Sequence, residues 1–388
     1  MARTWVYTRR NRLPLRVFDA LGRLLVRHGR EVSRPADELF NGVRSILVVE
    51  FWNIGDVVLA TPFLAQLRAI FPDSRITLLG QPHAAEVLEN SALVDEIITF
   101  DFPWTSARRK YDPRRYDWPA LRQLFRTLRE RKFDIAFESR MDPRAKIVLA
   151  LSGARRRVAY DYGGCDWLLT DAVPYESLDR HRLEDWTRML DPFGGARTVP
   201  VPRLTVSRSE SSWAKGFLAL NGVRPGERVV AVHPGASSPN KKWPLERFAA
   251  VVSEMLAWGG VRVIAMEDPQ GYGAELASIA GVRSVRPSLR QMLALLAEVD
   301  VLVCNDSGPM HLAAAVGTPT VGVFHPHAAR EFAPFGSGHH VLMAAEERPI
   351  RGSAPQADAL LGVEVASVVS AVNRVLSESS LARCATGS

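Results

Sequence analysis

The sequence predicts an α/β protein with two doubly wound parallel sheets. Short apolar runs typical of buried parallel strands alternate with segments of helical periodicity, and a series of this kind occurs twice along the chain. The chain also has 388 residues, which is more than one hydrophobic core normally accommodates. We therefore expect two domains, each with helices on both faces of its sheet.

Residues 1–43 differ from the rest of the sequence. Up to Arg30 they contain eight arginines and one acid, Asp19. Apolar and basic residues fall on different faces of a predicted helix, a pattern typical of a basic amphipathic helix. Such a helix either lies on an anionic membrane or packs against the domain that follows it. The residues alone leave both interpretations open.

The first predicted domain covers residues 44–205 and the second covers residues 206–388. Residues 194–202 are rich in Gly and Pro and serve as the predicted linker. In the first domain, strands are predicted at 45–51, 75–79, 96–100, 133–137 and 157–160, and helices at 56–71, 83–90, 118–131, 143–151 and 181–192. In the second domain, strands are predicted at 228–232, 261–266, 284–285 and 301–304, with one more ending at Phe324, and helices at 207–220, 245–258, 273–280, 289–297, 310–316 and 363–376. Residues 381–388 are predicted to be disordered.

Composition narrows the classes of partner and compartment. Lys and Arg number 49 against 42 Asp and Glu, a balance that suits anionic partners such as nucleotides or phosphorylated lipids. The three cysteines have no metal-site or disulfide spacing, which favours a reducing compartment. No apolar run reaches the roughly 18 residues of a membrane span. We expect a cytoplasmic protein that does not bind nucleic acid, since only its charge points to such binding.

The first motif, at residues 53–62, directly follows the first predicted strand. Gly55 permits a tight turn, and Asp56 then lies at the start of a helix, at the carboxyl end of the strand. An acidic residue at this position either caps the helix or serves as a catalytic carboxylate. The spacing alone leaves both roles open.

The second motif, at residues 233–244, follows the first strand of the second domain. Ser237 and Ser238 are able to hydrogen-bond phosphate oxygens, and Lys241 or Lys242 could neutralise them. The alternative is a surface loop with two solvated lysines. Both interpretations fit this motif taken alone.

The third motif, at residues 301–324, is the most informative. A buried strand ends in the turn 305–309, and a helix starts there with Asp306 or Ser307 as its cap and Pro309 in its first turn. The free N–H groups and dipole of such a helix form an anion site at the carboxyl end of the sheet. We expect a phosphorylated ligand there, although His311 could simply pack on its helix.

Together, the three motifs closely resemble glycosyltransferase family 9, the heptosyltransferase family of inverting glycosyltransferases. The resemblance covers roughly residues 43–335, in family order and spacing. It implies a GT-B fold, in which two Rossmann-like domains face a central cleft. It also implies transfer of a heptose from an ADP-sugar to the growing core of lipopolysaccharide, at the cytoplasmic side of the inner membrane, with no metal and no cofactor.

The resemblance assigns roles to individual residues. Asp56 matches the catalytic base that takes the proton of the acceptor hydroxyl. The N-terminal domain would bind the lipid-linked glycan acceptor, and we expect its basic residues Arg108, Arg109 and Lys110 to contact it, with Arg140, Arg144 and Lys146 as further basic residues. The C-terminal domain would bind the nucleotide-sugar donor through Ser237, Ser238, Lys241, Asp306, Ser307, Gly308, Pro309, Met310 and His311, with Glu267 and Asp268 as candidates for the ribose.

Two alternatives to transfer stay open at this point. A GT-B fold also serves sugar-nucleotide epimerases, which act on a UDP-sugar without an acceptor. A non-catalytic sugar-nucleotide-binding protein is the second alternative, although Asp56 and Lys241 argue against it. Residues 1–43 are a candidate for peripheral contact with the inner membrane.

Overall fold

The structure, a computed structural model, describes residues 19, 20, 22, 42–105, 112–176, 180–195, 199–343 and 357–386. The chain forms two compact units that divide between Pro200 and Val201. The domain boundary predicted from the sequence lies after residue 205. In the described parts of the chain, no helix is both long enough and apolar enough to cross a membrane.

The first unit contains a parallel sheet with the strand order β3-β2-β1-β4-β5-β6 among its described residues. The central strands are buried along almost their whole length, because helices cover both faces of the sheet. The strands are β1 (Ser45–Glu50), β2 (Arg75–Gly80), β3 (Glu96–Thr99), β4 (Ile135–Phe137), β5 (Arg156–Tyr160) and β6 (Asp171–Val173). The helices are α1 (Ile54–Ile70), α2 (Pro82–Val87), α3 (Trp118–Glu130), α4 (Pro143–Leu151) and α5 (Arg182–Thr187).

The second unit repeats this arrangement with the order β12-β11-β10-β7-β8-β9 within the described residues. Its strands are β7 (Arg228–His233), β8 (Val261–Met266), β9 (Val282–Val285), β10 (Val301–Asn305), β11 (Thr320–Phe324) and β12 (His340–Met343). Its helices are α6 (Arg208–Leu220), α7 (Leu245–Ala257), α8 (Leu289–Ala297), α9 (Gly308–Ala315), α10 (Pro326–Phe332) and α11 (Val365–Thr386).

Both sheets have the same topology. Counted from the first strand of each unit, the order is 3-2-1-4-5-6, so the first strand lies between the second and the fourth. β1 pairs with β4, with Val48 opposite Phe137, and β7 pairs with β10, with His233 opposite Cys304. Strand order reverses at these two pairs, and in open α/β sheets ligands bind at the carboxyl ends of the strands there.

The helices are held to the sheets by apolar stripes. In α7, Phe248, Val251, Val252 and Met255 are buried at three- and four-residue spacing, and they pack with residues of β7, β8, β10 and β11. This packing fixes the positions of the loops that leave the carboxyl ends of the strands.

Several elements differ from the sequence-based prediction. Residues 273–280 contain only the 3₁₀ helix Ala274–Ser278, next to Gly271 and Gly273 with positive φ. The predicted helix at 181–192 becomes α5 followed by the 3₁₀ helix Arg188–Phe193, since Pro192 cannot donate the hydrogen bond that would continue an α-helix.

Other differences lie towards the ends of the sheets and of the chain. The predicted disorder of residues 381–386 is wrong, because α11 extends to Thr386 through a sequence rich in Leu, Ala and Arg. The strands β6 and β12 and the helix α10 are not predicted. Both strands are short edge strands with partly exposed side chains, so they lack the continuous apolar run of a central strand.

The few described residues of the N-terminal extension contact the first unit. The Asp19 carboxylate accepts hydrogen bonds from the backbone N–H of Cys165 at 2.8 Å and from Trp167 Nε1 at 3.3 Å. A Cβ atom at Gly22 would come within 2.2 Å of the Trp167 ring, so the chain passes tightly against this ring. These contacts support the packed alternative for Asp19 and Gly22. The rest of the predicted amphipathic helix lies outside the described residues.

Candidate active site

Asp56 lies in the first turn of α1, directly after β1. Its side chain is buried, with a relative exposure of 6%. The backbone N–H and the side-chain amide of Asn53 donate to Asp56 Oδ2 at 3.1 and 3.4 Å. Asp56 therefore caps α1 with one oxygen, and its other oxygen faces the neighbouring strand β4.

Arg140 follows β4 and reaches this second oxygen. Arg140 Nη2 lies 2.5 Å from Asp56 Oδ1, and its guanidinium carbon lies 5.1 Å from the centre of the Trp52 ring. The ion pair and the cation–π contact both orient the guanidinium group. The switch point of the first sheet thus brings together Asp56, Arg140 and Trp52. From the sequence, Arg140 is only a basic residue of this domain, and its pairing with Asp56 is not predicted.

Glu50 lies at the end of β1, next to this pair, and its side chain is buried. Glu50 Oε1 accepts from the backbone N–H of Trp52 at 3.1 Å, and Oε2 accepts from Trp186 Nε1 at 3.3 Å. Burial raises the pKa of Glu50 to about 7, and the nearby Asp56 carboxylate adds to the rise against the opposing effects of Arg140 and Arg182. The Glu50 carboxyl group, with a pKa near neutrality, therefore lies close to the Asp56 carboxylate.

Two more buried charged residues lie at this edge of the sheet. Glu138 follows β4, and neither of its carboxylate oxygens has a hydrogen-bond partner among the described residues. Burial raises the pKa of Glu138 well above its usual value. Lys146 donates to the carbonyls of Tyr162 and Gly164 at 2.5 and 2.9 Å. Lys146, which the sequence offers as a further basic residue of this domain, is therefore not available to an acceptor, because its ammonium group is buried and holds the loop after β5.

Of the other predicted acceptor residues, the structure describes Arg144 but not the three at positions 108–110. Arg108, Arg109 and Lys110 lie outside the described residues. Arg144 forms an ion pair with Asp142, and its guanidinium carbon lies 6.0 Å from the Trp52 ring centre. Arg144 and Arg140 therefore both lie near Trp52, close to Asp56.

In the second unit, two loops meet at the switch point between β7 and β10. Lys241 comes from the loop after β7, and Asp306 follows β10. Lys241 Nζ lies 2.6 Å from Asp306 Oδ2. Asn305 ties the loops together, since its Oδ1 accepts from Trp243 N at 3.0 Å and its Nδ2 donates to the carbonyl of Pro234 at 2.7 Å. The sequence predicts Asn305 only as part of a turn, and this organising role is not predicted.

The helix α9 starts directly after Asp306. Ser307 precedes its first residue, Gly308, and the Ser307 hydroxyl oxygen is buried without a hydrogen-bond partner among the described residues. Pro309, Met310 and His311 are buried in the first turn. Their backbone lies at the N-terminus of the helix, where unsatisfied N–H groups and the helix dipole favour an anion. A cation and a helix N-terminus therefore lie at the same end of the sheet.

The loop after β7 carries the other predicted phosphate ligands. Ser237 is exposed, and Ser238 is partly buried before the 3₁₀ helix Pro239–Lys241. Lys242 Nζ lies 3.7 Å from the centre of the Tyr272 ring and 3.5 Å from Asp268 Oδ2. Lys242 therefore faces the loop after β8, whereas Lys241 faces α9.

The two ribose candidates follow β8, the neighbour of β7. Asp268 Oδ1 accepts from the backbone N–H groups of Gln270 and Tyr272 at 2.9 Å each. Glu267 accepts from Ser284 Oγ at 2.7 Å and pairs with Arg286 at 2.8 Å. In Rossmann-like folds, an acidic residue after the second strand binds the ribose, so both residues lie at the end of the appropriate strand.

His233 lies beneath this loop at the end of β7. Burial lowers its pKa to about 4, with Lys242 contributing to the drop and Asp268 opposing it. Its side chain is therefore neutral at pH 7. Across the described residues, no cluster of three or more His, Cys, Asp or Glu side chains is arranged to hold a metal ion.

Comparison with known proteins assigns the chain to a family. Residues 121–354 match the sequence profile of glycosyltransferase family 9 (heptosyltransferase), and this match covers more than half of the 388 residues. The chain belongs to glycosyltransferase family 9. The predicted family is confirmed, and so is the prediction that the protein is a glycosyltransferase.

Individual similar proteins agree with this assignment. The lipopolysaccharide core heptosyltransferase OpsX of Haemophilus influenzae is 20% identical over 78% of this chain and 85% of its own length. The crystal structure of a family 9 glycosyltransferase from Veillonella parvula has a TM-score of 0.71 at 20% identity and covers 86% of this chain and 97% of its own.

A further solved structure, of Escherichia coli ADP-heptose lipopolysaccharide heptosyltransferase II, has a TM-score of 0.69 at 20% identity. It covers 87% of this chain and 99% of its own. Together with the two parallel sheets of identical strand order, these structures confirm the predicted GT-B fold class.

Proposed function

We propose that this family 9 glycosyltransferase moves a heptose from a nucleotide-diphosphate donor, ADP-heptose, to a hydroxyl of a lipopolysaccharide-core acceptor. One observation carries the proposal. In the second unit, the ammonium group of Lys241 and the N-terminus of α9 lie at one switch point. In the first unit, a buried carboxylate, Asp56, lies at the equivalent point.

The donor diphosphate is proposed to bind at the end of β7 and β10. Negative charge grows on this group as the bond to the sugar breaks in an oxocarbenium-like transition state. Lys241, the hydroxyls of Ser237 and Ser238 and the free backbone N–H groups at the start of α9 would stabilise that charge where it develops. Lys241 would then exchange its contact with Asp306 for the phosphate oxygens. The ribose would lie at the end of β8, near Glu267 and Asp268.

The acceptor is proposed to bind to the first unit, with Asp56 as the general base. Its carboxylate is fixed on both oxygens, by Asn53 and by Arg140, and a fixed base is what proton transfer in a transition state requires. Attack by the acceptor hydroxyl on the face opposite the leaving diphosphate inverts the anomeric centre. The basic residues Arg108, Arg109 and Lys110 and the more central Arg144 are the proposed contacts for acidic groups of the acceptor.

The reaction is proposed to need no metal and no cofactor, because Lys241 and α9 supply the positive charge that a metal would otherwise provide. Nucleic acid is not a proposed partner. A lipid-linked acceptor would require the enzyme to work on the cytoplasmic face of the inner membrane, where residues 1–43 are a proposed peripheral contact.

A panel of donors tests the proposal. ADP-heptose should raise the thermal midpoint of the protein far more than UDP- or GDP-sugars, since a ligand at a hundred times its Kd adds about 2.7 kcal/mol of stability. Transfer to core lipopolysaccharide that lacks the added sugar should follow and persist in the presence of EDTA. Turnover of a UDP-sugar without any acceptor would instead identify an epimerase, and donor binding without any turnover would identify a non-catalytic binding protein.

The Lys241→Ala variant tests the donor site itself. Loss of a charged hydrogen-bond donor costs about 1.5–3 kcal/mol, so the Kd for ADP-heptose should rise by about 10–100-fold. Lys215→Ala is the matched control, because Lys215 is a largely exposed lysine of the same unit beside Glu298. Equal donor affinity of Lys241→Ala and Lys215→Ala, measured by calorimetry, would rule out this position for the diphosphate.

A further inference from the structure

A basic and aromatic surface lies on the outer face of α3, and none of its residues is among the contacts proposed above. Trp118 is the first residue of α3, and Arg122 and Arg126 follow at four-residue spacing, so the three side chains form one stripe. Arg114 lies in the preceding 3₁₀ helix Pro113–Arg115. All four side chains are exposed, Trp118 at 49%. We call these four residues the α3 surface.

The α3 surface is held on a rigid element. The opposite face of α3 buries Leu121, Leu124 and Leu128 in the core of the first unit. Trp118 Nε1 donates to the carbonyl of Pro113 at 3.0 Å, which holds the 3₁₀ helix against the first turn of α3. The stripe of Trp118 and two arginines therefore faces solvent in a fixed arrangement.

Acidic neighbours neutralise only part of the positive charge of this segment, since Arg115 pairs with Asp112 and Arg131 pairs with Glu96. Residues 112–132 contain seven Lys and Arg against three Asp and Glu, while the whole chain has 49 against 42. Among the described residues, Arg114, Arg122 and Arg126 have no acidic partner, in contrast to Arg68, which pairs with Asp95 at 2.5 Å. Fixed, unpaired cations on one face create a positive potential that attracts an anionic surface.

Trp118 adds a second feature that points to lipid. An exposed Trp combines a large apolar ring with a polar N–H group, and such rings are enriched where membranes meet water. Arginines around a Trp would contact lipid phosphates while the ring enters the interfacial region. A polybasic face with an interfacial aromatic residue is the combination that peripheral membrane segments use.

The α3 surface also adjoins the edge of the sheet that carries Asp56. A row of aromatic rings runs from Phe51, at the end of β1, to Trp118. The ring centres are 4.6 Å apart for Phe51 and Phe102, 5.0 Å for Phe102 and Trp104, 6.3 Å for Trp104 and Tyr116, and 5.5 Å for Tyr116 and Trp118. A bilayer that contacts the α3 surface would thus lie near the carboxyl end of β1.

We propose that the α3 surface docks the protein on a bilayer that contains anionic phospholipid. Membrane docking is a property beyond the proposed transfer reaction, and it rests on that function only for its purpose, which is to bring the Asp56 edge of the sheet close to a lipid-linked acceptor. The surface recognises phosphate headgroups through Arg114, Arg122 and Arg126 and the interface through Trp118.

Vesicle flotation with the full-length protein tests the proposal. The probes are phosphatidylcholine vesicles with and without about one third phosphatidylglycerol. Wild-type protein should float with the anionic vesicles and much less with the neutral ones. The double variant Arg122→Glu/Arg126→Glu should bind the anionic vesicles at least about tenfold more weakly, and Arg122→Gln/Arg126→Gln should show a smaller loss in the same direction. An unchanged thermal midpoint checks the folding of each variant.

The control Arg203→Glu/Arg374→Glu makes the same change in net charge at two exposed arginines of the second unit and should leave vesicle binding intact. Equal binding by wild type and the α3 variants would overturn the proposal, as would an equal loss in the control. Loss of RNA binding by the α3 variants with vesicle binding intact would also overturn it.

Transfer to a delipidated, water-soluble acceptor should be unchanged in the α3 variants. Vesicle binding by a wild-type protein that transfers no sugar would reject the proposed function while leaving the docking surface in place.

Discussion

At the scale of single residues, the main finding is that Asp56 has two fixed contacts on two different oxygens. Asn53 holds Oδ2 and Arg140 holds Oδ1. The sequence allows both helix capping and catalysis for Asp56, and one carboxylate is able to do both, because capping uses only one of its oxygens. Arg140 then becomes a positioning residue for the proposed base.

Arg140→Ala should slow transfer and leave donor binding unchanged. Without the guanidinium group, Asp56 Oδ1 loses the contact that orients it, and we expect kcat to fall by about 10–100-fold. Arg155→Ala is the control, since Arg155 is an exposed arginine of the same unit that pairs with Asp134 at 3.4 Å. Steady-state kinetics and donor thermal shifts separate the two effects. A normal kcat with a weakened donor shift would contradict the positioning role.

The raised pKa of Glu50 predicts that the stability of the protein depends on pH. Its pKa is raised from 4.5 to about 7 by burial, so the folded state holds a proton that the unfolded state has released between these values. The stabilising effect is complete below pH 4.5 and is lost as the pH rises through 7, by roughly 3 kcal/mol at most. Glu50→Gln, which resembles the protonated carboxyl group, should remove this dependence.

Urea unfolding of Glu50→Gln between pH 5 and 8 provides the check. Wild-type protein should lose stability relative to the variant as the pH rises, and Glu130→Gln, at an exposed site, should follow the wild type. Parallel pH profiles of wild type and Glu50→Gln would show that Glu50 is ionised in the folded protein throughout this range.

At the scale of elements, the proposed functional residues of both units lie in the segments that follow the carboxyl ends of strands. The sequence predicts that Asp56, Lys241 and Asp306 follow strands, because an apolar run, a turn residue and a helix start are local signals. It does not predict the pairing of Asp56 with Arg140. That contact depends on β4 lying next to β1, which is a property of the strand order and not of either segment.

The loop after β7 also has features that the sequence predicts and contacts that only the folded structure reveals. The sequence shows its serines, lysines and Trp243, but the role of Asn305 as a tie between Pro234 and Trp243 depends on contacts 71 and 62 residues apart in the chain. Buried charges such as Glu50, Glu138 and Lys146 are hidden from sequence analysis for the same reason. Charged residues usually lie on the surface, and only the packing reveals the exceptions.

Gly235 is the point where this loop has no room for a side chain. A Cβ atom there would come 2.8 Å from His233 Cε1 and 2.9 Å from Asp268 Cβ. Gly235→Ala should therefore destabilise the protein by about 1–3 kcal/mol and weaken donor binding by displacing the loop. Gly216→Ala is the control, because Gly216 lies in α6 with no atom within 4 Å of its added Cβ; it should stabilise by up to about 1 kcal/mol. Similar melting temperatures for the two variants would contradict this account of the loop.

At the scale of the whole molecule, the two units repeat one topology and divide the proposed reaction between them. Each unit has the 3-2-1-4-5-6 strand order, and each carries its key side chains at the same switch point. The first unit supplies the proposed base and the second supplies the proposed donor site. The repeat of strands and helices is visible in the sequence because it is a repeat of local patterns, whereas short edge strands such as β6 and β12 are not.

The rate of heptose transfer by Asp56→Asn tests the central claim most directly. Asn keeps an oxygen that accepts from Asn53, so the variant should fold and show the same thermal shift with ADP-heptose as the wild type. It has no carboxylate to take the proton of the acceptor hydroxyl, and we predict transfer about 10²–10⁴-fold slower at saturating donor and acceptor. Transfer at the wild-type rate by this variant would contradict the claim that Asp56 is the catalytic base.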